Sequence, residues 1–169
     1  MEFAVIRICS PFVQAVSKPF QDHKQASQLN EAFKIYLDLA RKGDPSSQLN
    51  VAFCYGTGVG RRKNRRREQY WLRRAASSGY GCAFTSLARI AKKKGNYSRA
   101  KKYYEFAYGL GDGGAAIDLA ENAIRYGSIS DGSGICYFAI DNFILSDFER
   151  EALEDIRRRA DSLGDQQKT

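Results

Sequence analysis

Gly43, Gly79 and Gly111 stand 36 and 32 residues apart, and each closes the same kind of segment. Before them run Ile35 to Lys42, Trp71 to Ser78 and Tyr103 to Leu110; after them the register holds. Four residues past each glycine are Ser47, Ala83 and Ala115, eight past are Val51, Leu87 and Leu119, and nine past are Ala52, Ala88 and Ala120. Self-similarity of this period signals stacked helical hairpins rather than one globular core. Bulky residues on one stripe of each first helix recur near helical spacing: Phe33, Tyr36, Leu37 and Ala40, then Tyr70, Trp71 and Ala75, then Tyr103, Phe106 and Ala107. Glycine ends that helix because the C-cap favours a left-handed backbone, free of steric cost only without a Cβ. Asp44-Pro45 and Asp112 read as starts of the second helix, Asp as a cap and Pro as a first-turn residue. Small residues at four and nine past the glycine allow close helix approach, and the aliphatic at eight past fills the space between units.

Two stretches carry a resemblance. Trp71-Leu72-Arg73-Arg74-Ala75-Ala76-Ser77-Ser78-Gly79 and Val51-Ala52-Phe53-Cys54-Tyr55-Gly56-Thr57-Gly58-Val59 are similar to the two halves of the Sel1-like repeat, a relative of the tetratricopeptide repeats. The resemblance covers about residues 30 to 127. It implies an all-α fold, a right-handed α-α superhelical solenoid of about three Sel1-like hairpins with a C-terminal capping helix pair. The resemblance is specific for architecture and nearly silent on activity; the repeat itself points to a partner surface, first helices line the concave face in such stacks, and bacterial relatives are often exported. The chain departs from the pattern after Gly-Val. There the family usually carries an Asp that starts the next helix, whereas Gly60-Arg61-Arg62-Lys63-Asn64-Arg65-Arg66-Arg67 stands here, about two residues longer. The third unit also has Tyr108 where an Ala is expected, and lacks the Gly-x-Gly-Val loop.

The hairpins are expected at 28–55, 66–93 and 98–126 within a repeat region of 28–127, preceded by an extension or cap at 1–27. That first segment, with Pro11 and Pro19, fits an extended stretch or short helix packed on the first repeat. Residues 128–169 hold the capping helices and tail: Gly127 to Gly134 is a loop by composition, followed by an apolar helix at 135–145 and a charged helix from Asp147, its expected N-cap, to Leu163. Repeat stacks need such caps to cover their apolar ends.

Charge is the individual feature. Residues 61 to 102 hold 15 Lys or Arg against one acid, Glu68, while the rest of the chain holds 12 bases against 18 acids. A scattered excess of this kind is commonly a solvated face, but so compact a run as 61–67 repels itself unless an anion compensates it. The partner-binding residues expected from this register are Lys34, Arg61, Arg62, Lys63, Arg65, Arg66, Arg67, Tyr70, Arg73, Arg74, Lys101 and Lys102. Arginine forks suit carboxylates, phosphates or stacked aromatic groups. Trp71 reads as core. The expected partner is a protein with an acidic surface, the chain acting as adaptor, scaffold or inhibitor of the immunity type; the alternative is nucleic acid bound through 61–102, without a recognised nucleic-acid motif.

Catalytic chemistry is hard to assemble. The single histidine, His23, lies in a polar segment outside the repeats, and no Cys–His or Ser–His arrangement forms without it. Gly56-Thr57-Gly58-Val59-Gly60 lacks the Gly-Lys-Ser/Thr ending of a phosphate loop and follows a helix. Asp131-Gly132-Ser133-Gly134 has too few ligands for a calcium loop. No enzyme, cofactor or metal is expected. The apolar runs are too short to span a bilayer, and residues 3–9 make a poor secretory signal, so the default location is cytoplasmic. Cys9, Cys54, Cys82 and Cys136 lack metal-ligand spacing and read as reduced, with Cys54 and Cys82 acting as small hydrophobes; metal ligation or a disulfide is the alternative.

Overall fold

The computed structural model describes residues 23–126 and 128–166, with side chains from Leu29 onward except that of residue 165. Most of the segment expected as an extension or cap therefore lies outside the described residues. The described residues form helices and no strand: α1 (His23–Arg41), α2 (Pro45–Thr57), α3 (Arg65–Ser77), α4 (Gly81–Lys93), α5 (Tyr97–Gly109), α6 (Gly113–Arg125), α7 (Ile129–Asn142) and α8 (Asp147–Gln166). The chain divides between Leu87 and Ala88 into two compact units. None of these helices is long and apolar enough to cross a membrane.

In the first unit α2 packs against both α1 and α3. The repeat glycine Gly43 has φ 105°, and Asp44 caps α2 by accepting from the Ser47 N–H at 2.6 Å with Pro45 in the first turn. Ser47, Val51 and Ala52 are buried as the register requires, and Gln48 donates across to the Ala40 carbonyl at 3.2 Å, tying α2 to the end of α1. Phe33, Cys54, Tyr55, Trp71 and Leu72 complete the core. Burial pushes the Cys54 thiol up to about 12.

In the second unit α6 is central, packing against α5, α7 and α8. Gly111 has φ 77°, and Asp112 accepts from the Ala115 N–H at 2.8 Å, repeating the arrangement at Asp44. Ala116, Ala120, Cys136, Ala139, Leu153 and Ile156 form the buried cluster. Arg89 donates from Nε (3.0 Å) and a terminal nitrogen (2.7 Å) to one Asp118 oxygen, pinning the end of α4 to α6.

The structure corrects the sequence reading at three places. The stretch expected as a loop to Gly134 is helical from Ile129, because Gly132 is buried against α6 and Ser128 and Asp131 bond to one another at the start of α7. Asp147 is the first helical residue of α8 rather than its cap; Ser146 caps instead, its N–H and hydroxyl donating to Glu149 at 2.9 and 2.7 Å while its Oγ accepts from the Glu149 N–H at 3.3 Å. That reciprocal pairing is a capping box. Cys54 and Cys136 are free and buried, whereas Cys82 is disulfide-bonded, so the reduced state expected for all four cysteines fails there.

Candidate partner-binding site

The connection from α2 to α3 is held at both ends. The Gly58 N–H donates to the Cys54 carbonyl at 3.0 Å and the Asn64 N–H donates to the Tyr55 carbonyl at 2.8 Å. Gly60 has φ 64° and sits so close to α1 that a Cβ there would lie 3.1 Å from the Leu29 carbonyl oxygen. Asn64 then caps α3, its Oδ1 accepting from the Arg67 N–H at 3.0 Å. This amide fulfils the role of the acidic residue expected after Gly-Val without subtracting charge from the loop. Glu68, the one acid of 61–102, turns the other way. It pairs with Arg65 at 3.1 Å, its side chain is only 12% exposed, and it rests where a Cβ on Gly56 would be.

Two of the remaining cations lie on aromatic rings. The Arg61 guanidinium is over the Phe33 ring at 4.5 Å from its centroid. The Arg67 guanidinium is over Tyr55 at 5.4 Å and donates to its hydroxyl at 3.0 Å. Phe33 and Tyr55 themselves meet edge to face, 5.5 Å between centroids. Such stacking fixes a guanidinium while leaving edge N–H groups for an anion. Tyr55, Arg61, Arg62, Lys63, Asn64 and Arg67 line a concavity of about 530 Å³ with no acidic side chain among them. Arg61, Arg62, Lys63, Arg66 and Arg67 form no ion pair among the described residues.

Comparison with known proteins bears on the scaffold. A search of protein-family models finds none that matches, and no curated protein matches. A solved structure, the Sel1 repeat protein from Oxalobacter formigenes, superposes with a TM-score of 0.59 at 19% identity, over 78% of this chain. The fold is of the Sel1-repeat type. The chain spans 64% of the length of that Sel1 repeat protein.

Within this Sel1-type scaffold the expected binding residues separate into groups. Arg61, Arg62, Lys63 and Arg67 line one concavity, and Arg66 is exposed beside them without a partner among the described residues. Arg65 is occupied by Glu68. Further along α3, Arg74 reaches the Tyr70 hydroxyl at 3.4 Å and lies over the Trp71 ring at 5.6 Å, and Arg73 donates to Gln69 at 3.3 Å. Trp71 is core, 7% exposed, with Tyr70 against its edge and half exposed. Lys34 is exposed on α1. Lys101 and Lys102 belong to the second unit, exposed on α5, where Lys101 lies 3.9 Å from Glu105.

Sequence reasoning missed Phe33, Tyr55 and Asn64. Phe33 and Tyr55 carry the same apolar pattern as any core aromatic, and only the folded hairpin brings the two rings under separate arginines. Asn64 was legible in principle, because Asn followed three residues on by the first helical turn is an N-cap signal. Among the described residues no group of three or more His, Cys, Asp or Glu could hold a metal ion.

Proposed function

We propose that the chain is a non-enzymatic protein-interaction module that docks an acidic surface of a partner protein. The concavity carries this reading: three guanidinium groups and one ammonium line it without an acid, and two of them are braced by buried rings. Cations held together in this way repel one another and gain from an anion that lies across them. The Sel1-type fold supports the same reading, since stacked hairpins offer extended surfaces rather than an enclosed reaction chamber. In an adaptor, scaffold or inhibitor alike, the physical act is the same, a charged surface held in register by a stiff loop.

The test compares native chain with the triple variant Arg62→Glu, Lys63→Glu, Arg66→Glu as bait for affinity capture from cells, with mass spectrometry and ultraviolet absorbance on one eluate. These three side chains make no hydrogen bond or ion pair among the described residues, so their reversal spares the scaffold. A protein retained by the native chain and lost from the variant supports the reading. Unchanged capture by the variant overturns it, as does an eluate dominated by nucleic acid with affinity that collapses as salt rises.

A further inference from the structure

The lining is over-supplied for an acidic side chain. One carboxylate offers a single negative charge and two oxygens in one plane, whereas four cations converge on this concavity. We infer that it receives a phosphoryl group, carried on a phosphorylated side chain of the partner protein; this deepens the acidic-surface reading and rests on it. A phosphorylated residue brings roughly −1.5 to −2 charges and three acceptor oxygens, which match several donors approaching from different directions. Recognition of such groups by clustered arginines is a recurrent solution, because each guanidinium supplies a planar pair of N–H donors.

Three features of the site fit this ligand better than a flat acidic patch. First, the arginines are pre-placed. Arg61 lies on Phe33 and Arg67 on Tyr55, so less side-chain freedom is lost when their edges bond to an anion. Second, competing negative charge is removed. Glu68 is turned into the crevice at Gly56 and neutralised by Arg65, and the cap of α3 is the uncharged Asn64. The N-terminal end of α3 therefore adds its own positive potential beside Arg67 instead of being offset by an acidic cap. Third, the volume is apt. About 530 Å³ of a concavity open to solvent leaves room for a phosphorylated side chain with its flanking backbone.

The experiment titrates the full chain, at constant ionic strength, with one short neutral peptide in three forms bearing serine, phosphoserine or glutamate at its centre. Calorimetry gives affinity, and arginine side-chain N–H resonances report which guanidinium groups respond. Saturable binding of the phosphoserine form, roughly tenfold or more tighter than the glutamate form, is expected, with Arg61 and Arg67 resonances shifting together. Binding should weaken from about pH 7.5 to about pH 5, because the second phosphate ionisation lies near pH 6 and the phosphoryl group loses negative charge below it. Arg62 makes no hydrogen bond or ion pair among the described residues, so Arg62→Ala should lower phosphoserine affinity without disturbing the fold, and Arg67→Lys should lower it while keeping the charge. Equal affinity for the phosphoserine and glutamate forms would overturn the inference yet leave the acidic-surface reading standing. So would a phosphoserine response that ignores both variants. Loss of partner capture without any peptide preference separates the two outcomes, since the peptide assay requires no partner.

Discussion

Gly132 and Gly134 lie two residues apart in α7, and alanine should have opposite effects at the two positions. In a helix interior Ala is favoured over Gly by about 1 kcal/mol. At Gly134 a Cβ would meet nothing within 4 Å, so Gly134→Ala should keep that gain and stabilise the chain by about 1 kcal/mol. At Gly132 the Cβ would lie 2.5 Å from Cγ1 of Ile124 and 3.1 Å from the Ala120 carbonyl oxygen. Carbon atoms in contact prefer roughly 3.5–4 Å, so α6 and α7 must part by about an ångström or Ile124 must leave its rotamer. Overpacking of this kind costs about 1–3 kcal/mol, which offsets the helical gain and leaves Gly132→Ala neutral to destabilising by about 2 kcal/mol. The two variants should therefore differ by about 1–3 kcal/mol, each kcal/mol moving the melting temperature by about 2–4 °C in a chain of this size. Urea unfolding followed by circular dichroism, with a thermal melt as the second measure, reads the difference. Equal stabilisation by both substitutions would refute the close α6–α7 contact, and no stabilisation at Gly134 would refute helical structure there.

Two further outcomes follow from features already described. Asn64→Ala should remove the cap on α3 and cost about 1 kcal/mol in the same unfolding assay, whereas Asn64→Asp should retain the cap and instead weaken phosphoserine-peptide binding by placing a negative charge in the lining. Burial pushes the thiols of Cys54 and Cys136 up to about 12 and about 11, from a usual value of 9.0. The unfolded chain then loses these protons first, so stability is fully present below about pH 9 and should fall as pH rises towards 11–12, and both thiols should resist a disulfide-exchange reagent at about pH 8 until the chain is unfolded. Rapid native-state labelling of both would contradict their burial.

The parts of the fold governed by local backbone chemistry were legible in the sequence. Gly43, Gly79 and Gly111 adopt positive φ, Asp44 and Asp112 cap the helices that follow, and Trp71 is buried, because each depends on a few neighbouring residues. Features that depend on a distant surface were not. Composition marks Gly132 and Gly134 as loop residues, yet tertiary packing of Gly132 on Ala120 and Ile124 holds them in a helix. At the start of α8 the cap falls on Ser146 and not on the expected Asp147, because the Glu149 side chain reaches back to Ser146. The concentration of arginine at 61–67 was visible, but not which members would be consumed internally. Arg65 is spent on Glu68, and Arg61 and Arg67 are oriented by rings that come from α1 and α2.

The edge-to-face contact of Phe33 and Tyr55 gives occupancy of the concavity a thermodynamic echo. Phe33 belongs to α1 and Tyr55 to α2, and the two arginines resting on them keep their places only while that hairpin is folded. Any anion that needs both arginines therefore binds the folded hairpin and not the unfolded one. At a hundredfold excess over its dissociation constant it would add about 2.7 kcal/mol to the unfolding free energy. Resistance to denaturation thus becomes a gauge of ligand affinity, and a core mutation that loosens the ring pair would register as weakened recognition without touching a single charge.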